Sequence, residues 1–213
     1  IATYGKMFGV SRQAIVNDDL GAFADLFRVM GRAAAETEAT VLVGLLNSNP
    51  TMSDGNALFS TAHTNYISTG GAAPSVAQLD LMRQSLRTQK DLDGVTLLNI
   101  PSKYLVVPTA LETAAQVLCG AALWTATAQN TANPFAGVMI PLTEPRLTDA
   151  AAYYAFGDPL LAPVLEYASL DGVTGPQVEM KEGWSTLGQE FRVYHHFGAG
   201  VTGYNGAVKN KGS

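Results

Sequence analysis

The sequence predicts an α+β protein in which helices come first and strands last. Three observations lead there: residues 17–47 carry a helical pattern of uncommon length, further helix signals follow at 75–89 and 109–120, and from Val138 onward the segments turn to β character (VMIPL, AYYAFG, VLEYASL, PQVEM and FRVYHHFGAGVTGYNGAVKN). Runs of helix followed by runs of strand describe α+β rather than a regular alternation. With 213 residues and 47% hydrophobic content, the chain can bury a real core as one large domain or two small ones.

Residues 1–16, IATYGKMFGVSRQAIV, read as the last part of an extended arm or hairpin leading into the long helix. That helix, 17–47, has Asn17 or Asp18 to cap its first turn, and Asp18 and Asp19 sit where the helix dipole is positive. Leu20, Phe23, Phe27, Met30, Ala34, Val41 and Leu45 recur at helical spacing as one apolar stripe. Arg28, Arg32, Glu36 and Glu38 fall largely off it, and Pro50 closes the segment. The next stretch, to Ser75, is rich in turn formers and predicts a loop with one or two short strands, Asp54-Gly55 marking a tight turn. Ser75 with Gln78 forms a capping box for a second helix ending near Gln89. Tyr104–Val107 reads as a buried strand stopped by Pro108, and Thr109 with Glu112 as a capping box for a helix running to about Gly120. Residues 125–137 read as loop.

The charge balance excludes several classes. Net charge is −5 and no basic block is present, so sequence-specific phosphate recognition is not expected. Charged residues make up only 15% of the chain, which suits a surface covered by neighbours. From Thr113 to Thr143 there is no charge, yet Gln116, Gln129, Asn130, Asn133 and Pro134 interrupt the run well short of the ~20 apolar residues a membrane span needs. No secretory signal is visible, and the opening on Ile1 rather than Met reads as a fragment, a processed product or an incomplete start. Cys119, the single cysteine, lies in an apolar run and reads as a small buried hydrophobe.

Each chemical motif has a plain structural reading beside it. Gly198, Gly200 and Gly203 spell G-x-G-x-x-G after a probable strand, but the helix and distant acid of a dinucleotide site cannot fit in the ten residues that follow, so the glycines mark bulges or close backbone approach. His195 and His196 point to opposite faces of a strand and cannot readily share a metal; His195, with Phe191, Val193 and Phe197, reads as a hydrogen-bonded core or interface residue. His63 lies near Ser60, Asp54 and Asn65, which invites a Ser-His-Asp arrangement, although these are ordinary loop formers and no G-x-S-x-G elbow accompanies them. Glu36 and Glu38 face different directions and form no carboxylate pair; a helix face meeting a neighbour or solvent accounts for them. No catalytic, cofactor-binding or metal residue is assigned.

Taken together, SRQAIVNDDLGAFADLF, DGNALFSTAHTN, PSKYLVVPTALETAAQVL, FGDP and FRVYHHFGAGVTGYNGAVK resemble the major head subunit of Mu-type tailed phages and prophages, over nearly the whole chain. The resemblance implies an HK97-like capsid fold: a remnant of an extended loop or arm at 1–16, a peripheral domain at 17–70 and 166–213 with its spine helix at 17–47, and an axial domain at 71–165. It implies a non-enzymatic virion protein, assembled in the bacterial host cytoplasm through pentamers and hexamers into an icosahedral head around double-stranded DNA. Portal, scaffolding or decoration proteins are its expected partners, with no membrane and no cofactor. Tyr4, Lys6 and Arg12 are the candidate subunit contacts, because aromatic and basic groups on an extended segment suit a neighbour's surface. An encapsulin-like compartment shell shares the fold, and a small serine/histidine hydrolase using His63 or His195 is the alternative of another class.

Overall fold

The computed structural model describes residues 1–17, 22–91, 93–120, 123–124, 131–183 and 187–213, side chains at 22–24, 26, 123–124 and 131–132 excepted. In chain order the elements are β1 (Ala2–Ser11), α1 (Arg12–Val16), α2 (Ala22–Ser48), β2 (Tyr66–Ile67), α3 (Val76–Arg87), β3 (Ser102–Val107), α4 (Glu112–Gly120), β4 (Leu123–Trp124), β5 (Thr131–Ala132), β6 (Ile140–Thr143), β7 (Tyr153–Gly157), β8 (Leu165–Ser169), β9 (Gln177–Glu182), β10 (Gly188–Val201) and β11 (Ala207–Asn210). They form two compact units, Ile1–Leu42 with Tyr167–Gly200 and Val43–Glu166 with Val201–Ser213.

The first unit is a four-stranded sheet crossed by α2. β10 is its middle strand, paired antiparallel with β1 from Ala2↔Phe197 to Ser11↔Gly188 and with β9 from Gln189↔Glu182 to Tyr194↔Gln177; β8 completes it. Val193, His195 and Phe197 are buried while Arg192 is exposed, the period-two alternation expected of a strand with one covered face. Phe27 of α2 meets Phe8 and Phe191, ring centroids 6.1 and 5.4 Å away, and these two stack across β1 and β10 at 5.2 Å. The three rings clamp the helix to the sheet.

The long helix is described from Ala22, and the residues before 18 do not join it as the sequence suggests. Ser11 accepts from the Ala14 amide and opens the separate turn α1, and Asn17, expected to cap the long helix, instead ends α1 with its amide bonded to Gln13 O. Asp18, the other cap candidate, Asp19 and Leu20 lie outside the described residues, as does the Phe23 side chain. The 27 residues of α2 give a rod of about 40 Å. Its deepest residues, Val43 and Leu46, are not on the expected stripe; Met30, Ala34, Val41 and Leu45 are only half-buried. α2 contributes to both units, Ala22–Leu42 to the first and Val43–Ser48 to the second, and Val43 and Leu46 belong to the core of the second. Asn49, left-handed at φ 45°, then bonds its amide to Leu45 O and clasps both backbone groups of Phe59 with its side chain, and Pro50 follows.

The second unit holds a five-stranded sheet in the order β2-β11-β7-β3-β6, parallel at β3/β6 and β2/β11 and antiparallel at β7. One face carries Leu105, Val107, Tyr153, Ala155 and Val208 against Leu79, Met82 and Leu86 of α3 and Ala115, Leu118 and Cys119 of α4. The opposite face carries Tyr154 and Ala207, with Val106 and Phe156, against Val43, Leu46, Leu58 and Phe59. The capping boxes form only in part. Ser75 does accept from the Gln78 amide, but the Gln78 side chain turns away to Gly70 O and Asn210. At α4 the box is absent: Pro108 O closes a 3₁₀ turn at Thr109–Leu111 through the Leu111 amide, and Glu112 accepts from Gln116 instead. The second helix ends at Arg87, two residues short of Gln89. Asp54-Gly55 makes its tight turn, with Gly55 at φ 83° and Met52 bonded to Asn56 O. Of the expected loop 125–137, residues 125–130 lie outside the described residues and Thr131–Ala132 form β5.

Leu105 has no exposed surface and sits between α4 and the sheet centre. Replacing it with Ala should cost about 2–5 kcal/mol in equilibrium denaturation; a loss under about 1 kcal/mol would show that this core is not the one formed.

Candidate subunit-contact site

The histidines resolve first, because they decide whether the chain carries a catalytic centre. His63 is buried, its ring stacked on Tyr204 at 3.9 Å. Nδ1 lies 3.1 Å from Leu58 O and Nε2 2.6 Å from Asp54 Oδ2, so both ring nitrogens are occupied. Ser60 Oγ accepts from the His63 backbone amide and does not meet the ring. A nucleophile–base pair needs that contact, so the Ser60/His63/Asp54 grouping is a loop brace. Buried Asn65 completes it, accepting from the Ser60 amide and donating to Leu58 O and Tyr204 O. Asp54 itself stays partly exposed, and the Asn56 side chain, then His63, hold its carboxyl down at about 2 against an ordinary 3.8.

His195 is likewise engaged. Its Nδ1 lies 3.0 Å from Gly175 O and its Nε2 2.6 Å from Glu38 Oε1, an ion-pair contact off the line of a good hydrogen bond. Glu38 therefore faces the sheet and pins α2 to β10, and neither solvent nor a neighbour is needed to account for it. His196 points the other way, to Thr3 Oγ1 at 2.9 Å. Two glycines of the Gly-rich motif serve close approach: a Cβ at Gly198 would come within 2.8 Å of Ile1 Cα and one at Gly203 within 2.7 Å of Pro163 O, while Gly200 has open space around it. Cys119 is buried, and burial pushes its thiol upward. Among the described residues no group of His, Cys, Asp and Glu could hold a metal, and no helix is long and apolar enough to cross a membrane.

What the first unit offers is a surface. Between α2, β1 and β10 runs a groove of about 420 Å³, walled by Met30, Ala33 and Ala34 on the helix and by Tyr4, Lys6 and Val193 on the sheet. Its width follows from small side chains: Ala33 and Ala34 leave space, and Gly5 lets β1 approach β10, where a Cβ would sit 3.0 Å from Val193 O. The register aligns Lys6, Val193 and Val178 in one row across three strands, and Phe8, Phe191 and Met180 in the next. α2 covers the middle of these rows; Val178 and Met180 remain 50% and 62% exposed. Of the three contact candidates, Tyr4 and Lys6 thus come together on the groove, Tyr4 half-buried and Lys6 exposed. Arg12 is exposed on α1, outside the groove lining, its amide bonded to Leu187 O. The sequence reading placed Met30 and Ala34 on the apolar stripe and gave Ala33, Val178 and Met180 no role. The alternation of Val178 and Met180 with Gln177, Glu179 and Lys181 was the available signal for the last two.

An open groove beside a partly covered sheet, with His63 and His195 both engaged in structural contacts, is a surface suited to packing against another protein. Solved shell proteins share the fold. The chain is similar to a Mycobacterium phage Che8 protein (18% identity, 100% of this chain and 72% of that one, TM-score 0.53). It is also similar to the capsid of Myoviridae phage XM1 (12%, 100% and 73%, TM-score 0.59) and to the holo-SrpI encapsulin complex from Synechococcus elongatus PCC 7942 (9%, 100% and 74%, TM-score 0.60). The fold is HK97-like. No curated protein matches the chain. A family model described as phage capsid protein matches residues 1–210, and the chain belongs to that family. It is a major capsid protein, a structural component of the virion that associates with itself, and not an enzyme.

The Asp54 brace has a pH signature. Because its folded carboxyl titrates near 2, below the 3.8 of a free group, ionised Asp54 contributes stability above about pH 4 that disappears as pH falls toward 2. Thermal melts of Asp54→Asn and the unsubstituted protein should differ most at pH 5–6 and converge between about pH 4 and 2; a gap that stays constant would show the carboxylate does not brace the loop.

Proposed function

We propose that this capsid protein assembles through pentamers and hexamers into an icosahedral head enclosing double-stranded DNA, as in Mu-type tailed phages, and does so in the cytoplasm of a bacterial host. The observation that carries the reading is the phage capsid family match along residues 1–210. In this reading the first compact unit serves as the peripheral domain, residues 1–16 being the returning half of an extended loop, and the five-stranded unit serves as the axial domain. The sequence reading draws the axial domain at 71–165 and the peripheral domain at 17–70 and 166–213; the compact units are Ile1–Leu42 with Tyr167–Gly200 and Val43–Glu166 with Val201–Ser213. Decoration by accessory proteins has support in a similar structure, the capsid of bacteriophage JBD30 decorated with minor capsid protein trimers (19% identity, TM-score 0.53). A net charge of −5 suits an inner wall that must not trap packed DNA.

The encapsulin likeness sustains a second reading, a shell around protein cargo. Electron microscopy and sedimentation of the full-length product at near-neutral pH should show uniform closed shells or capsomer rings. Shells that co-purify with DNA support the head, shells with a protein cargo support the compartment, and a lasting monomer in the presence of its scaffolding partner removes both.

Tyr4, Lys6 and Arg12 serve as neighbour contacts in this scheme. Arg12→Ala should leave the monomer's circular dichroism and melting unchanged and lower the assembled fraction several-fold; unaltered assembly would remove Arg12 from the interface.

A further inference from the structure

The assembly reading leaves open what a neighbouring copy places against the arm, and the first unit contains a matching piece. The turn Leu170–Gly172 is closed by Val173 N–H donating to Leu170 O, with Asp171 at its apex in the left-handed region at φ 52°. Leu170 and Val173 flank it at 43% and 40% exposure, and Asp171 is exposed. The turn is held in shape, since Gly175 just beyond it is bonded to buried His195. It therefore presents a preformed acid between two aliphatic side chains.

The groove is its complement. Ala33, Ala34 and Val193 make an apolar wall, and Lys6 stands on its lining with no ion-pair partner among the described residues; Asp171 has none either. The two segments differ in sign. Residues 1–17 carry Lys6 and Arg12 and no acid, whereas the turn and its flanks, 167–176, carry Asp171 and no base. Like patches on two copies repel, while the basic arm of one meets the acidic turn of the other favourably, which fixes orientation as well as adhesion.

Resting on the assembly reading above, we propose that the groove between α2 and the arm strand receives the Leu170–Val173 turn of a second copy of this chain. Asp171 then pairs with Lys6, and Leu170 and Val173 enter the apolar trough. Each copy carries both socket and plug, so the contact repeats around a closed ring or shell.

Full-length protein is the material for the test, and its own assembly is read first: if it forms no shells or rings, the assembly reading fails and this contact falls with it. Where it does assemble, Lys6→Glu and Asp171→Lys should each lower the assembled fraction by about tenfold, because acid then faces acid or base faces base, and the double variant should recover to within about twofold. Asp171→Asn, which keeps a residue suited to positive φ, separates loss of charge from backbone strain. Carbodiimide coupling of shells mixed from ¹⁴N- and ¹⁵N-labelled copies should give a Lys6–Asp171 amide joining the two isotopes. Unimpaired single variants, a double variant no better than either single, or Lys6 coupled to its own chain or to another carboxylate would each overturn the proposal.

Discussion

α2 has to satisfy two hydrophobic cores with one rod, and much of the molecule follows from that constraint. A helix buried on one sheet keeps one stripe in contact along its length. Here the contacts change along the rod: Phe27 is gripped by Phe8 and Phe191, Glu38 reaches His195, and within the last turns Val43 and Leu46 enter a different core with Leu58, Phe59 and Tyr154. Thr37 and Thr40, poor helix formers in isolation, return their hydroxyls to Ala33 O and Glu36 O and so do not compete with the helix for its amides. Within the first unit the helix leaves part of the sheet uncovered: the groove beside Lys6, and Val178 and Met180 at 50% and 62% exposure.

This also explains how two buried histidines can belong to a protein without catalysis. Each ring is fixed between a backbone carbonyl and a carboxylate, Leu58 O with Asp54 for His63 and Gly175 O with Glu38 for His195. Buried polar groups are costly unless partnered, and here the partners span separate pieces of chain. His63 and Asn65 brace a loop whose own backbone bonding is limited to short turns and the Thr51–Ala57 bridge, and His195 couples helix to strand. A histidine triad in sequence proximity and a histidine brace look alike until the second ring nitrogen is located.

Features set by local chemistry were legible in the sequence. The α+β order, the apolar run of β3, Ser75 as a cap, the Asp54-Gly55 turn and the alternation of β10 each depend on a few neighbouring residues. What escaped depends on contacts remote in sequence or on backbone alternatives. α1 spans five residues, too short for a helical period to stand out from an extended arm. The box at Thr109 gave way to a backbone closure by Pro108 O, which no side-chain pattern records. Glu38 and His195 have no shared signal, and Val43 and Leu46 lie off the main stripe because the helix changes partners. Of the contact candidates, Tyr4 and Lys6 were picked by residue type on an extended segment, but the groove they share is lined also by Ala33, Ala34 and Gly5, residues that carry no signal of their own in the sequence.

The composition acquires its sense at the level of the assembly. A chain with 15% charged residues carries Leu160, Leu187, Val95 and Met7 at 70% exposure or more, a poor surface for a solitary soluble domain. Scattered exposed apolar residues are ordinary in any protein. Here, however, several stand in ordered places: Val178 and Met180 continue rows of the arm sheet, and Ile140 and Leu142 share one face of the edge strand β6, beside Tyr104 and Val106. In a protein that associates with itself, sheet faces of this kind are surface that a second copy can cover, so burial can be shared between folding and assembly. Low charge suits such a surface, and a charge that stands within it gains weight in choosing orientation.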